Sequence, residues 1–174
     1  MKILDLGCGN NKKGTIGIDI RKDSNADIIH NLNEYPYPFK DDEFDMIIAD
    51  HILEHLDDYK KTMEELHRIT KNKGKIIIRV PHFSSTNAYS RIGHRWYLGC
   101  NIFKEFPNFK VLKIRLNYTL TNIKQPLWKK TISYIPNLLA NLNIWFCERV
   151  WCYMVGGFAE IYAELKVVKL KKKS

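Results

Sequence analysis

Two almost uninterrupted apolar runs, separated by a helical pattern, constrain the fold of this 174-residue chain most. Phe44–Ala49 and Lys75–Val80 have the composition expected of strands that are buried on both faces. Between them, Asp57–Lys73 repeats apolar residues every three or four positions, and Gly74 follows where a helix C-cap belongs. A strand, a helix and a strand in this order predict a parallel βαβ unit and therefore an α/β fold.

Five further segments have strand patterns, three before this unit and two after it: Lys2–Leu6, Thr15–Ile20, the weaker Asp27–His30, Phe109–Tyr118 and Ala159–Leu170. We expect one domain over 1–174, with Thr119–Phe158 as a helical insertion or lid between the last two strands. Its aromatic-rich part, Ile135–Tyr153, fits a substrate lid, a membrane-surface helix or a helix packed on the sheet. We favour the third interpretation. Pro136 and several polar residues leave its apolar runs too short for a transmembrane helix.

Composition and charge restrict the location and the partners. Four cysteines without a zinc-type spacing, and no signal-peptide pattern after Met1, predict a protein of the reducing cytoplasm. Residues 1–70 carry 9 Lys/Arg and 15 Asp/Glu, a net −6, whereas residues 71–174 carry 19 and 4, a net +15. The acidic half suits a cationic ligand, and the basic half suits an anionic substrate, nucleic acid or anionic lipid. Solubility alone explains the charge equally well. We expect the Lys171–Lys173 tail to be solvated.

The first strand ends in a glycine loop, Gly7-Cys8-Gly9, and the second ends in Asp19. Ligands bind beyond the carboxyl ends of strands in open parallel sheets, and a carboxylate there can accept both hydroxyls of a ribose. A dinucleotide site requires a third glycine and a helix N-terminus facing the pyrophosphate. Position 12 is Lys, and Asn10–Gly14 is too short to return the chain and also form a helix. The loop therefore favours S-adenosylmethionine, which has no phosphate and whose carboxylate Lys12 or Lys13 could meet.

The chain resembles class I S-adenosylmethionine-dependent methyltransferases, in particular a short type often associated with surface-polysaccharide genes. The resemblance rests on four segments in the same order and spacing, which cover about the first half of the chain: Leu4–Gly9, Ile16–Ile20, Ala26–Leu56 and Asn72–Ser85. It implies a Rossmann-like, mostly parallel seven-stranded sheet whose last strand is inserted beside the fifth, forming an antiparallel edge hairpin. It also implies that the first helix after the glycine loop is reduced or absent. With no helix before the first strand either, a second subunit, as in a homodimer, could cover the site.

The resemblance also implies which residues bind the cofactor. Asp5, Gly7 and Gly9 would shape the loop under the methionine part, and Asp19 would bind the ribose. Asn31 would accept a hydrogen bond from adenine where many relatives carry Asp, and Leu32 would cover the ring. The full implied set is Asp5, Gly7, Cys8, Gly9, Asp19, Ile20, Asn31, Leu32 and Asp50.

Histidines after the fourth and fifth strands are the candidate general bases, because imidazole titrates near neutral pH. His51 and His82 are the two that we single out, while Glu54, His55 and His94 fit structural roles better. Cys8 fits a packing role rather than that of a nucleophile. No metal site is predicted, since none of these residues has ligand spacing.

The acceptor is constrained mainly by the motifs that the sequence lacks. Ala49–Ile52 follows the fourth strand in place of the Asn/Asp-Pro-Pro-Tyr/Phe motif of enzymes that methylate amino groups of DNA bases. The sequence also has no Pro-Cys pair, which cytosine-C5 methylation uses. Only 7 of the 28 cationic residues are Arg, which nucleic-acid readers favour. We therefore expect methyl transfer to a hydroxyl of a small anionic molecule or glycan intermediate. The alternatives are RNA methylation through the basic half, and a degenerate fold that serves as a non-enzymatic binding module.

Overall fold

The computed structural model describes residues 1–121 and 125–169, so the predicted solvated tail at Lys171–Lys173 lies outside the described residues. Within them, seven strands form one sheet of order β3-β2-β1-β4-β5-β7-β6. The strands are β1 (Ile3–Leu6), β2 (Ile16–Asp19), β3 (Ile28–Ile29), β4 (Phe44–Asp50), β5 (Thr70–Pro81), β6 (Phe109–Asn117) and β7 (Glu160–Val167). β1 to β5 pair in parallel, and β7 is antiparallel to both β5 and β6. The predicted seven-stranded fold with an inserted last strand is confirmed.

The helix α1 (Tyr59–Ile69) connects β4 to β5 and buries one face against the sheet. Its buried residues recur at helical spacing because side chains three and four apart share a face: Tyr59, Thr62, Met63, Leu66 and Ile69. Asp58 caps the N-terminus, since its side chain accepts a hydrogen bond from the backbone N–H of Lys61.

The predicted end of this helix at Lys73, with a Gly74 cap, is wrong. Thr70 is already extended and pairs with Phe44 of β4, so the helix ends at Ile69. Gly74 lies inside β5 instead, and Lys73 is the residue of this segment with a left-handed φ, of 67°. Pairing with β4 therefore ends the helix several residues before the glycine.

Helical segments lie between β6 and β7: α3 (Leu127–Leu142), α4 (Ile144–Phe146), a π-helical turn (Cys147–Trp151) and α5 (Cys152–Met154). These helical segments fall within the predicted insertion Thr119–Phe158, and from here on we use the name insertion for Leu127–Val155 alone. α3 lies along β6 but buries only Ser133 and Ala140, whereas Ile144, Cys147, Trp151 and Cys152 of the segments after it pack against the core. Within Ile135–Tyr153, packing against the core is therefore mainly the work of the part after α3. No helix among the described residues is long and apolar enough to cross a membrane.

The remaining helical turns lie near the ends of the central strands: a 3-10 turn at Leu53–His55, the short α2 (Thr86–Tyr89) and a 3-10 turn at Cys100–Lys104. The core is continuous from β1 through β7, with side chains such as Leu4, Ile47, Ile78 and Ile161 fully buried. All four cysteines are free thiols.

Candidate functional site

A pocket of about 160 Å³ opens at the carboxyl ends of β1 and β2, where the sequence places the cofactor. Five of the nine expected cofactor residues line it: Gly7, Asp19, Ile20, Asn31 and Leu32. Four further lining residues were not predicted: Asn33, Ile52, His55 and Leu56. Ile52, His55 and Leu56 lie in the turn after β4, and Asn33 lies in the segment after β3. Their only sequence signal is this position after a strand end.

The glycine loop has the backbone that the pocket requires. Gly7 has a φ of 67°, and a Cβ there would lie 2.6 Å from Cγ1 of Ile52. The absence of a side chain therefore lets the loop approach the turn after β4 closely. Gly9 has a φ of 53°, and its backbone N–H donates to Oδ2 of Asp19 over 2.8 Å. As expected, residues 10–14 return the chain to β2 without forming a helix.

Asp19 is nearly buried and keeps hydrogen-bonding capacity for a ligand. Its Oδ2 accepts from Gly9 and its Oδ1 accepts from the backbone N–H of Arg21 over 2.9 Å. Each carboxylate oxygen has two lone pairs, so one on each oxygen remains for a hydroxyl group. A ribose diol at the pocket would match this acceptor pair.

Asn31 is held by its own turn. Its side-chain oxygen accepts from the backbone N–H of Asn33 over 3.1 Å, and its amide nitrogen donates to Oε1 of Glu34 over 3.1 Å. This turn fixes Asn31 at the pocket wall and leaves one lone pair of its oxygen for an adenine amino group.

The other implied cofactor residues do not line the pocket, and they support the loop instead. Asp5 accepts a hydrogen bond from the backbone N–H of Lys13 over 2.5 Å, and burial raises the pKa of its carboxyl group. Cys8 is buried, in agreement with a packing role. Asp50 forms ion pairs with the side chain of Lys13 and, at 3.7 Å, with Arg79.

The two lysines of the loop are therefore engaged with protein carboxylates. Lys13 pairs with Asp50, and Lys12 pairs with Asp27 over 2.9 Å. A role of either lysine toward a ligand carboxylate would therefore require its ammonium group to leave a protein partner.

A second cavity, of about 280 Å³, adjoins the pocket and shares His55 with it. We call this second cavity the acceptor cleft. Its walls come from the turn after β4, the end of β5, α2 and the loop that follows: His51, Glu54, His55, Pro81, Asn87, Arg91, His94 and Leu120. The turn at Leu53–His55 thus separates two neighbouring cavities at one edge of the sheet.

His51 lies in the acceptor cleft between two buried carboxylates. Its Nδ1 is 3.2 Å from Oε1 of Glu54, and its Nε2 is 3.3 Å from Oε2 of Glu160. Burial lowers the pKa of His51, but the hydrogen bonds to Glu160 and Glu54 outweigh burial and raise it to about 9. The raised pKa favours the protonated ring at neutral pH, which weakens the case for His51 as a general base; that role stays a prediction.

The case for His82 as a general base is also weakened, because it is fully buried and lines neither cavity. Its Nδ1 is 2.6 Å from the Ser84 hydroxyl and its Nε2 is 3.1 Å from Oε1 of Glu148. Glu148 also accepts from the backbone N–H of Cys100 over 2.6 Å. His82 therefore connects the end of β5 to the insertion rather than to a ligand.

Glu160 was not predicted, although it is the most deeply buried carboxylate at this edge. It is fully buried and interacts with His51, with the amide of Asn117 over 3.0 Å, and with the hydroxyl of Thr121. β7 runs antiparallel to its neighbours, so its first residue lies where the parallel strands end. The resemblance implies this strand direction, but it does not indicate which residue of β7 reaches the site.

Sequence comparisons agree with the first half of the fold. Residues 4–78 match the family model of a methyltransferase domain. An uncharacterised protein of Methanocaldococcus jannaschii is 36% identical over 96 aligned residues, covering 45% of this chain and 40% of that protein. A second protein of that organism is 46% identical over 43 residues, which is 25% of this chain and 21% of that protein. The matched part thus spans less than half the length of these relatives.

Solved structures match almost the whole chain at low sequence identity. A SAM-dependent methyltransferase from Archaeoglobus fulgidus has a TM-score of 0.60 and 22% identity, covering 94% of this chain and 85% of its own. An S-adenosylmethionine-dependent methyltransferase from Mesorhizobium loti has a TM-score of 0.57 and 12% identity, covering 95% and 90%. A Haloferax volcanii protein in complex with the Trm112 methyltransferase activator has a TM-score of 0.62 and 14% identity, covering 96% and 82%. The chain accordingly has the fold of these solved methyltransferase structures, and its residues 4–78 match the family model of a methyltransferase domain.

Proposed function

We propose that this protein is an S-adenosylmethionine-dependent methyltransferase. The observation that carries the proposal is the pocket at the ends of β1 and β2, where Gly7 leaves room and the Asp19 carboxylate has acceptor capacity for a ribose. The methyltransferase-domain match over residues 4–78 supports the same cofactor. When bound, the cofactor supplies a methyl group that its sulfonium already activates.

The residues of the chain would bind and orient the two reactants. Leu32, Ile52 and Leu56 offer apolar contacts to an adenine ring, and Asp19 would hold the ribose. The acceptor cleft on the other side of the Leu53–His55 turn would hold the second substrate next to the methyl group. Alignment of an activated methyl group with a nucleophile, with water excluded, is the main contribution that such a site makes.

We further propose that the acceptor is a small anionic molecule or a glycan intermediate that reacts through a hydroxyl. The cleft volume of about 280 Å³ suits a small molecule or one sugar unit rather than a folded RNA. Arg91 and Asn87, on one wall, offer a cation and an amide to an anionic or hydroxylated group. The resemblance to chains associated with surface-polysaccharide genes points the same way.

Isothermal titration calorimetry of the purified chain tests the cofactor assignment. We expect S-adenosylmethionine and S-adenosylhomocysteine to bind at one site, and NAD not to bind, because the loop has no helix to face a pyrophosphate. Absence of binding by both adenosyl ligands would favour the binding-module alternative. Production of S-adenosylhomocysteine with sugar or RNA substrates then separates the hydroxyl acceptor from RNA, whose binding should fall steeply with salt.

We also propose that the insertion contacts an anionic membrane surface. It exposes large apolar side chains, among them Leu127, Trp128, Leu138, Leu142 and Trp145. Their cationic neighbours include Lys129, which lies 5.5 Å from the Trp128 ring, and Arg149, which lies 5.4 Å from the Trp145 ring. Trp and aliphatic residues next to basic side chains are typical of helices that lie in a membrane interface. Such contact suits a lipid-linked acceptor made in the cytoplasm, where we predict that the protein resides.

Co-sedimentation with vesicles of anionic and of zwitterionic phospholipid tests the membrane contact. We expect binding to the anionic vesicles, and a decrease of about threefold or more when Trp128 and Leu138 are both replaced by Ser. Ile29→Ser removes an exposed apolar side chain from β3, at the opposite edge of the sheet from β6, and should leave vesicle binding unchanged. Equal sedimentation of both variants, or self-association on a sizing column in place of vesicle binding, would assign the surface to a protein partner or a homodimer.

A further inference from the structure

Three side chains with metal-binding groups meet in the acceptor cleft, although the sequence predicts no metal site. Glu54, His55 and His94 each offer one ligand atom, and these atoms all lie within 4.8 Å of one another. Glu54 and His55 are neighbours in the turn after β4, whereas His94 comes from the loop after α2. All three line the cleft. The sequence does not indicate this cluster, because its two segments are far apart in the chain and only folding brings them together.

Both imidazole rings are oriented in the way that metal-binding histidines usually are. Nδ1 of His55 lies 3.2 Å from the carbonyl oxygen of Gly93, and Nδ1 of His94 lies 3.1 Å from that of Ala88. A carbonyl oxygen can only accept, so each Nδ1 donates its proton there. In a neutral imidazole whose Nδ1 carries the proton, Nε2 is the atom with the free lone pair. Backbone carbonyls that fix the tautomer and orientation of a ring in this way commonly support histidine ligands.

The Glu54 carboxylate gives an independent indication of a cation site. Glu54 is 1% exposed, and its Oε2 has no hydrogen-bond partner among the described residues, while Oε1 faces His51. A buried carboxylate oxygen without a partner is costly, and a bound cation would satisfy it.

A backbone hydrogen bond holds the two segments next to each other. The N–H of Arg95 donates to the carbonyl oxygen of Glu54 over 2.7 Å, which ties the loop that carries His94 to the turn that carries Glu54 and His55. The ring centroids of His55 and His94 lie 4.6 Å apart. The three side chains are thus close together in the absence of an ion.

We propose that Glu54, His55 and His94 bind one divalent transition-metal ion, such as Zn²⁺, in the acceptor cleft. Two imidazoles and one carboxylate suit Zn²⁺ and related ions, and three protein ligands leave a coordination position open. This inference rests on the proposed function for its role, which is to bind and orient an oxygen atom of the acceptor. Metal binding itself is measurable without cofactor or acceptor.

Calorimetric titration with Zn²⁺, after removal of metals by chelation and dialysis, tests the site in the wild-type chain. We expect one ion per chain, and affinity at least about tenfold lower in His94→Ala and in Glu54→Gln. His67→Ala is the control, because His67 lies on α1 and bonds to the carbonyl oxygen of Val168. Its affinity for Zn²⁺ should match that of the wild type.

Co²⁺ provides a second readout that does not depend on any variant folding. In the wild-type chain, Co²⁺ should give the visible absorption of a low-symmetry site with nitrogen ligands, and Zn²⁺ should displace it. Absence of stoichiometric Zn²⁺ binding, or equal affinity in wild type, His94→Ala and Glu54→Gln, would overturn the metal site. Either result leaves the cofactor assignment intact, since adenosyl-ligand binding is measured separately.

Discussion

The chemistry of individual residues at the sheet edge depends on what each side chain contacts. Asp19 is the last residue of β2 and His51 directly follows β4, two strands that the sequence predicts correctly. Asp19 keeps free acceptor capacity, whereas His51 has a carboxylate at each ring nitrogen. The first therefore remains suited to its predicted role, whereas the raised pKa of His51 favours its protonated form at neutral pH.

Replacing Asp19 by Ala should weaken the binding of S-adenosylhomocysteine by about tenfold or more, because hydrogen bonds to a charged group contribute about 1.5–3 kcal/mol. Asp19→Asn keeps an acceptor for the Gly9 N–H and tests the charge alone. Asp23→Ala, at an exposed ion pair with Arg21, serves as the control. Unchanged calorimetric affinity in both Asp19 variants would remove the ribose assignment.

At the scale of elements, local signals set where α1 begins and tertiary pairing sets where it ends. The amphipathic pattern that begins at Asp57 predicts the start of the helix to within two residues, and the structure places the N-cap at Asp58. The end at Ile69 follows from the pairing of Thr70 with Phe44, which no local pattern announces.

Asp58→Ala should lower the free energy of unfolding by about 1 kcal/mol, the typical cost of losing an N-cap. Asp58→Asn should retain most of that stability, because Asn also accepts a hydrogen bond from the helix N-terminus. Urea denaturation followed by circular dichroism measures both. If the two variants have equal stability, the observed bond to Lys61 contributes nothing as a cap.

The attachment of the insertion to the sheet depends on the partly buried carboxylate of Glu148. Burial raises the pKa of Glu148, but its hydrogen bonds to His82 and to the Cys100 N–H outweigh burial, so the pKa is lowered from 4.5. A lowered carboxyl pKa adds stability above the unfolded value, and this contribution is lost as the pH falls through the folded value.

We therefore expect the wild type to lose stability as the pH falls below about 4.5 more steeply than Glu148→Gln does. The variant should be the less stable of the two at neutral pH, where the charged hydrogen bonds are present only in the wild type. Thermal unfolding from pH 7 to pH 3 measures the difference. Parallel pH profiles would show that Glu148 does not couple protonation to folding.

At the scale of the whole molecule, the central sheet and the insertion differ in how much side-chain surface they bury. β4, β5 and β7 lie in the continuous core, whereas most large apolar side chains of α3 face solvent. Segments with few buried contacts open locally at low cost in free energy.

Hydrogen exchange followed by mass spectrometry should therefore show faster exchange in the insertion than in β4, β5 and β7. Addition of anionic vesicles should slow exchange in the insertion alone if it binds a membrane. Equal protection of insertion and central strands in the free protein would mean that another surface covers the exposed side chains in solution.

The sequence by itself determined the strands, the α/β class, the glycine loop and the carboxylate at the end of β2. These features are local, because they follow from apolar periodicity, from backbone freedom at Gly7 and Gly9, and from the short spacing to Asp19. Some pocket residues, such as Ile52 and Leu56, could be identified only from the path that the chain takes after β4.

Only the tertiary structure decided the environments of the histidines. The antiparallel direction of β7 brings Glu160 to His51, the insertion buries His82 against Glu148, and a distant loop places His94 beside His55. Each of these contacts joins segments that are far apart in the chain, and burial and neighbouring charge set the chemistry of a titratable group. Residue type and spacing alone determine neither the burial of such a group nor the charges next to it.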